Sequence, residues 1–208
     1  MNIFIINGGQ TFAHSGGMFN NTLTGWTVEV MKRKNFAYRV TNINDNFDPM
    51  MEVENFKWAD IVIYHTPIWW FQLPNRFKRY LDEVFTAGHN NGIYRNDGRS
   101  RKNPDVNYGT GGLMQGKRYM LTTSWNAPQT AFTLEGEFFD RHTVDEVLFG
   151  FHKMNQFVGM KRIEGFHFHD LEKNATKERI DCYHQEYTAH INLSLIHISE
   201  PTRLGMIS

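Results

Sequence analysis

The sequence predicts an α/β protein built on a parallel sheet with helices on both faces, and three observations carry that prediction. Uninterrupted apolar runs, NIFIIN (2–7) and ADIVIYH (59–65), read as strands buried on both sides. Between such runs lie segments with helix-like apolar spacing, and the resulting β-α-β-α order implies parallel strands joined by crossover helices. The strand-like runs end in loops of small, hydroxyl or aromatic residues, where sheets of this kind bind their ligands.

In chain order, the strand at 2–7 runs into a Gly- and Ser-containing loop, GGQTFAHSGGMF. A helix is expected from about Asn20 to Lys34, capped by Asn20 or Asn21, with Leu23, Trp26, Val30 and Met31 as its apolar stripe. AYRVTNIN (37–44) reads as a second strand, DNFDP as a turn, and Pro49 to Phe56 as a short helix. The third strand, 59–65, leads into HTPIWWFQLPNRF, whose two prolines exclude a continuous helix or a central strand. NRFKRYLDEVFTAG (75–88) places Phe77, Leu81, Val84 and Phe85 on one helical side and stops at Gly88. The polar stretch 89–112 exceeds ordinary connections and reads as either functional or disordered. KRYMLTTS (117–124) is a fourth strand, 140–158 is mainly helical, RIEGFHFHD (162–170) is a fifth strand, and 176–192 is a final helix.

Composition narrows the function. The 208 residues favour one domain with a sizeable core, and aromatics reach 14%. Lys+Arg and Asp+Glu balance at 22 each, so neither a nucleic acid nor an acidic membrane is an expected partner. The single Cys182 excludes an intramolecular disulfide and a multi-Cys metal site and fits a reducing compartment. No apolar stretch approaches the roughly 20 residues that cross a bilayer. MNIFIINGG reads as a buried strand rather than a leader, so the expected location is cytoplasmic.

Three loops fall at strand ends: 8–20, 65–74 and 123–128. The first offers Ser15, Gly16 and Gly17 before a helix start, a set of amides, a hydroxyl and a dipole that suits a phosphate. Taken alone it is equally an ordinary loop with an asparagine cap. The second brings Trp69, Trp70 and Phe71, either core residues of an irregular strand end or a platform for a flat heterocycle. The third, TTSWNAPQ, adds hydroxyls, an amide and a tryptophan that suit the pyrimidine edge of a flavin, or else cap a turn. Other chemistries lack an anchor. No GxSxG elbow is present, and His167 and His169 have no acidic or Cys partner at metal-ligand spacing. Arg99 and Arg101 read as solvated charge, with a pyridine-nucleotide phosphate as their other reading.

FAHSGGMFNNTL, WADIVIYHTPIWWFQLP, KRYLDEVFTAGH, YGTGGLMQGKRYMLTTSWNAP and FHKMNQFVGM together resemble the modulator of drug activity B family of NAD(P)H:quinone oxidoreductases. The resemblance implies a flavodoxin-like three-layer α/β/α sandwich around a five-stranded parallel sheet over residues 1–192. It implies FAD, with FMN the lesser alternative, and NADPH or NADH as donor. It also implies a two-step exchange ending on a quinone, and a homodimer with sites at its interface. The family's flavin contacts carry over to Ser15, Gly17, Phe19, Asn20 and Thr22, to Ile68, Trp69, Trp70 and Phe71, to Tyr108, and to Ser124, Trp125, Asn126 and Ala127. Ile68 stands where the family commonly has glycine, a change that a contact through its backbone amide tolerates. Tyr108 is a flavin contact or delivers a proton to the quinone, and no side chain is assigned as general acid.

Two other functions fit the same residues: an electron carrier or redox regulatory subunit of a potassium-efflux system, and a binding module that keeps the fold without cofactor. The segment 193–208 is expected to stand apart, because it does not cleanly continue the last helix and resembles translated sequencing-adapter read-through.

Overall fold

The computed structural model describes residues 1–12 and 16–199. Strands β1 (Asn2–Asn7), β2 (Ala37–Asn42), β3 (Ile61–Pro67) and β4 (Arg118–Ser124) alternate with helices α1 (Met18–Arg33), α2 (Pro49–Trp58) and α3 (Asn75–Ala87). Short helices α4 (Thr130–Thr133) and α5 (Val144–Val147) precede α6 (Phe149–Phe157), then strands β5 (Lys161–Arg162) and β6 (Phe166–Phe168) lead to α7 (Lys177–Ser199). All pairings are parallel, in the order β2-β1-β3-β4-β5, with β6 also on β4.

Period-2 alternation sorts the strand side chains into two cores. Ile3, Ile5, Ile61, Ile63 and Met120 pack with Leu23, Val30 and Met31 of α1 and Tyr187, Ile191 and Leu195 of α7. On the other face Phe4, Ile6, Val62, Tyr64 and Leu121 meet Val53 and Phe56 of α2, Phe77, Leu81 and Val84 of α3, and Phe151 of α6. These side chains are fully or almost fully buried, each stabilising the fold by about 1.5–3 kcal/mol before entropy is counted. The expected three-layer α/β/α sandwich is therefore observed.

Three expectations need correction, and one open alternative narrows. The fifth strand is interrupted: Arg162 pairs with Tyr119 and Phe166 with Thr122, so one extra residue is inserted opposite β4. Gly165 sits in that bulge, where an added Cβ would lie 2.3 Å from the Leu121 carbonyl. The helix expected over 140–158 starts only at Val144 and breaks at Leu148, because Asp140 and Arg141 have φ of 46° and 66° and Thr143 with Glu146 closes a capping box on α5. The 89–112 stretch is ordered, folded back by Arg95 N–H to the Gly111 carbonyl (2.9 Å) and Leu113 N–H to the Ile93 carbonyl (2.9 Å). Finally, α7 runs on to Ser199, since Tyr187, Ile191, Leu195 and Ile198 continue one apolar stripe on α1 and the sheet. Among the described residues no helix is long and apolar enough to cross a membrane.

Candidate functional site

The three loops meet at the carboxyl edge of β1, β3 and β4. The first is drawn down by Gly8 N–H to the His65 carbonyl (2.6 Å) and by Gly9 N–H to Asn7 Oδ1 (3.0 Å). Glycine is required at both positions. A Cβ on Gly8 would stand 2.7 Å from that carbonyl and 2.8 Å from the Phe77 ring, and one on Gly9 would stand 2.7 Å from the Asn20 Cβ. Asn44 Nδ2 clamps the Gly9 carbonyl (2.6 Å), and Gln10 Oε1 accepts from the Arg76 amide (3.2 Å). The Arg76 guanidinium in turn donates to the Ile43 and Asn44 carbonyls.

Gly17, at φ 66°, is the N-cap of α1 and provides no side-chain cap, and the first turn holds no acidic residue. The expected asparagine cap is thus not made. Asn20 and Asn21 lie inside the first turn, where Asn21 Oδ1 accepts from Asn7 Nδ2 (2.7 Å) and Asn20 Nδ2 reaches Ser124 Oγ (3.4 Å). Asn20 Oδ1 is buried without a partner. A bare helix start has the amide donors and the dipole that an anionic group such as a phosphate needs, whereas Asn20 Oδ1 beside it suits a hydroxyl or N–H donor.

The second loop is a two-residue turn. Trp69 and Gln72 exchange both backbone hydrogen bonds at 3.0 Å, and Trp70 and Phe71 between them have φ of 49° and 65°. Positive φ at both central residues is the mark of a type I′ turn, which asparagine and glycine favour and large aromatics do not. Such strain costs on the order of 1–3 kcal/mol per residue and collects at ligand clamps. Trp70 is 93% exposed, Phe71 stacks on Phe138 at 5.2 Å, and Trp69 packs on Phe12 at 5.6 Å. The third loop is tied to the second by Ile68 N–H to the Ser124 carbonyl (3.0 Å).

The remaining predicted residues divide. Ser15 lies outside the described residues. Phe19 packs on Phe168 and Trp26, and Thr22 donates back to the Met18 carbonyl from an exposed position. Trp125 is a core residue, packed on Phe132 and Phe139 with its indole N–H on Thr123 Oγ1 (2.7 Å). Asn126 donates to Glu172, and the Ala127 carbonyl accepts from Asp170 N–H (3.1 Å). The Ile68 amide donates to the Ser124 carbonyl. Tyr108 stands apart, packed on Phe157 beside Arg99. It lines a cavity of about 730 Å³ between α3 and α6 to which none of the three loops contributes.

One contributor to the aromatic surface went unread in the sequence. Phe138, 71% exposed, extends the aromatic surface at Phe71, and its adjacency to Phe139 in GEFFD was the available signal. His169 Nδ1, just past β6 beside the third loop, and Arg179 Nε on α7 are buried without partners, and burial lowers the His169 pKa to about 4. Nothing in residue spacing announces that pair.

Comparison with known proteins places this geometry in a lineage. A family described as having a flavodoxin-like fold matches residues 1–191. An uncharacterized protein of Schizosaccharomyces pombe is 45% identical over 92% of this chain and 96% of its own. The NADPH:quinone oxidoreductase MdaB of Haemophilus influenzae is 42% identical over 92% of this chain and 97% of its own. The solved general stress protein 14 of Treponema denticola in complex with FMN aligns with a TM-score of 0.63 at 20% identity. It covers 93% of this chain and 98% of its own, a likeness of fold alone.

Proposed function

This chain belongs to the flavodoxin-like fold family and, with its Haemophilus relative, to the modulator of drug activity B group, and on that premise we propose that it is a flavin-dependent NAD(P)H:quinone oxidoreductase. The observation that carries the proposal is the convergence of the uncapped α1 start, the strained Trp70–Phe71 turn and Ser124 on one edge of the sheet. These residues fit a flavin: Gly8 and Gly9 let the first loop pack close against β3 and α1, which leaves the uncapped α1 start beside Ser124, and the buried Asn20 Oδ1 would accept from a hydroxyl or ring N–H. FAD is the proposed cofactor, with FMN the lesser alternative. The chemistry a bound flavin supplies is two-electron transfer from NADPH or NADH to a quinone, in ping-pong order.

The chain's own part is binding and orientation. The amides of the α1 first turn would hold the phosphates, together with the Ser15 position in the same loop. The exposed faces of Trp70, Phe71 and Phe138 would cover flat rings and exclude water from them. Ser124 and Asn126 would address the polar ring edge, and Tyr108 would serve a homodimer's shared site from its partner's side. The absorbance spectrum of the purified protein, with the released cofactor identified by chromatography, tests the cofactor. Steady NADPH oxidation that depends on menadione tests the reaction. A protein that gains no yellow absorbance with FAD sinks the reading. Flavin binding without menadione turnover favours the electron carrier or potassium-efflux regulatory subunit.

A further inference from the structure

On the α1/α7 face of the sheet, each central strand is apolar until its last rungs. Ile3 and Ile5 precede Asn7 on β1, Ile61 and Ile63 precede His65 on β3, and Met120 precedes Thr122 on β4. Register places Asn7, His65 and Thr122 side by side, directly beneath the three loops. His65 and Thr122 are fully buried and Asn7 is 3% exposed.

His65 and Thr122 form one connected chain with the helices above them, while the Asn7 side chain bonds to Asn21 and the Gly9 amide. The Tyr187 hydroxyl of α7 lies 2.8 Å from Thr27 Oγ1 of α1, which lies 3.0 Å from His65 Nε2. His65 Nδ1 meets Thr122 Oγ1, whose hydroxyl donates to the Tyr64 carbonyl at 3.0 Å. Thr27 and Thr122 each also have a backbone acceptor, the Leu23 carbonyl at 2.9 Å and the Tyr64 carbonyl at 3.0 Å, so each hydroxyl shares its one proton between that carbonyl and the ring. Burial keeps the imidazole neutral by lowering the His65 pKa to about 3, so one ring nitrogen donates and the other accepts. The His65 carbonyl meanwhile holds the Gly8 amide.

We infer that His65 is a positioning residue for cofactor binding, a buried strut that sets the start of α1 against the second and third loops. The inference rests on the flavin site proposed above. Stability alone does not explain a fully buried imidazole here. An apolar side chain of similar volume continues the Ile61–Ile63 pattern, and replacing buried polar partners with well-packed apolar groups is often neutral. What an apolar residue cannot do is bond in opposite directions to a helix and a neighbouring strand. Two ring nitrogens bonding outward within one rigid plane fix the distance between Thr27 and Thr122. That distance governs where the α1 amides stand relative to Ser124 and the Trp70–Phe71 turn.

The test compares His65→Leu, His65→Gln and Thr122→Val, measuring FAD affinity by fluorescence quenching at room temperature and the FAD-induced rise in melting temperature. Glutamine carries a donor and an acceptor on one planar group, so it preserves both bonds. We expect His65→Leu to weaken FAD binding about tenfold or more and shrink the FAD-induced rise, while His65→Gln stays within about threefold of the parent. Thr122→Val keeps volume and removes one partner, so it gives the same answer even if His65→Leu does not fold. Wild-type FAD affinity in Thr122→Val and in any folded His65→Leu, with only the apoprotein melting temperature changed, makes His65 an ordinary core residue and overturns the inference. Failure of the parent protein to bind FAD instead overturns the flavin reading, and this inference with it.

Discussion

The β2–α2 and β1–α1 junctions take the chain from strand to helix in opposite ways. At α2, Asp48 accepts from the Met50 and Met51 amides at 2.8 and 3.4 Å, Pro49 occupies the first helical turn and Glu52 follows in it. A side-chain cap, a proline at the helix start and a first-turn carboxylate are all present. At α1 none is: the cap is a left-handed glycine and the first turn carries no carboxylate. The β3–α3 junction resembles α1 in this respect, with aromatic residues in a turn that glycine would fill without strain. The junctions at the centre of the sheet leave their local chemistry incomplete while the one at its edge completes it. Departures from local consistency of this kind mark the places where a partner molecule supplies the missing half.

The largest break in that contrast is to give α1 what α2 has. Gly17→Asp places a carboxylate at the bare helix start, in a left-handed conformation that aspartate tolerates better than most residues. FAD affinity is expected to fall on the order of a hundredfold, because a fixed charge would occupy the anion position. Titration of the apoprotein with FAD measures it, and circular dichroism checks that the fold persists. Undiminished binding would move the phosphate site away from α1.

Acid should separate the junctions next. Burial lowers the His65 pKa from the ordinary 6.5 to about 3. Between those values the unfolded chain takes up a proton that the folded chain refuses. Stability therefore falls as pH drops below about 6.5 and levels off below about 3, with a slope from His65 approaching ~1.4 kcal/mol per pH unit. Urea midpoints between neutral pH and pH ~4 should decline less steeply in His65→Gln than in the parent. Equal slopes would mean that His65 titrates normally.

The sequence announced the junctions unevenly, for physical reasons. β1 and β3 were readable because strands buried on both faces must be apolar throughout, and the Asp48-Pro49 start of α2 because a cap is a local signal. Loops ending in Gly-Gly and Trp-Trp-Phe could be placed at strand ends, yet the Asn20–Ser124 contact joins residues 104 apart and has no local trace. The packing of Trp125 on Phe132 and Phe139 is hidden for the same reason, since the contacts of an indole in a loop depend on what folding brings to it. The bulge at Gly165 and the break at Leu148 depend on what β4 and α5 present to them, not on their own propensities.

Relieving strain at the third junction sharpens the comparison further. Trp70→Gly replaces a 93% exposed side chain at φ 49° and so loses little burial. It should raise the unfolding free energy by up to about 1 kcal/mol while lowering menadione turnover, the trade expected where backbone strain holds a functional side chain. A variant that is both more stable and fully active would leave the strain without a purpose.

The smallest effect belongs to the complete junction and acts as the control on all the others. Asp48→Ala removes the acceptor for two α2 amides at the sheet edge, far in sequence from the three converging loops. Loss of an exposed cap costs about 1 kcal/mol, read as a lower urea midpoint with an unchanged slope. FAD affinity should not move, because α2 begins where its own chain already satisfies it. If Asp48→Ala weakened FAD as strongly as Gly17→Asp, general loosening of the sheet's carboxyl edge would explain both. The bare start of α1 would then lose its claim as a site built for an anion.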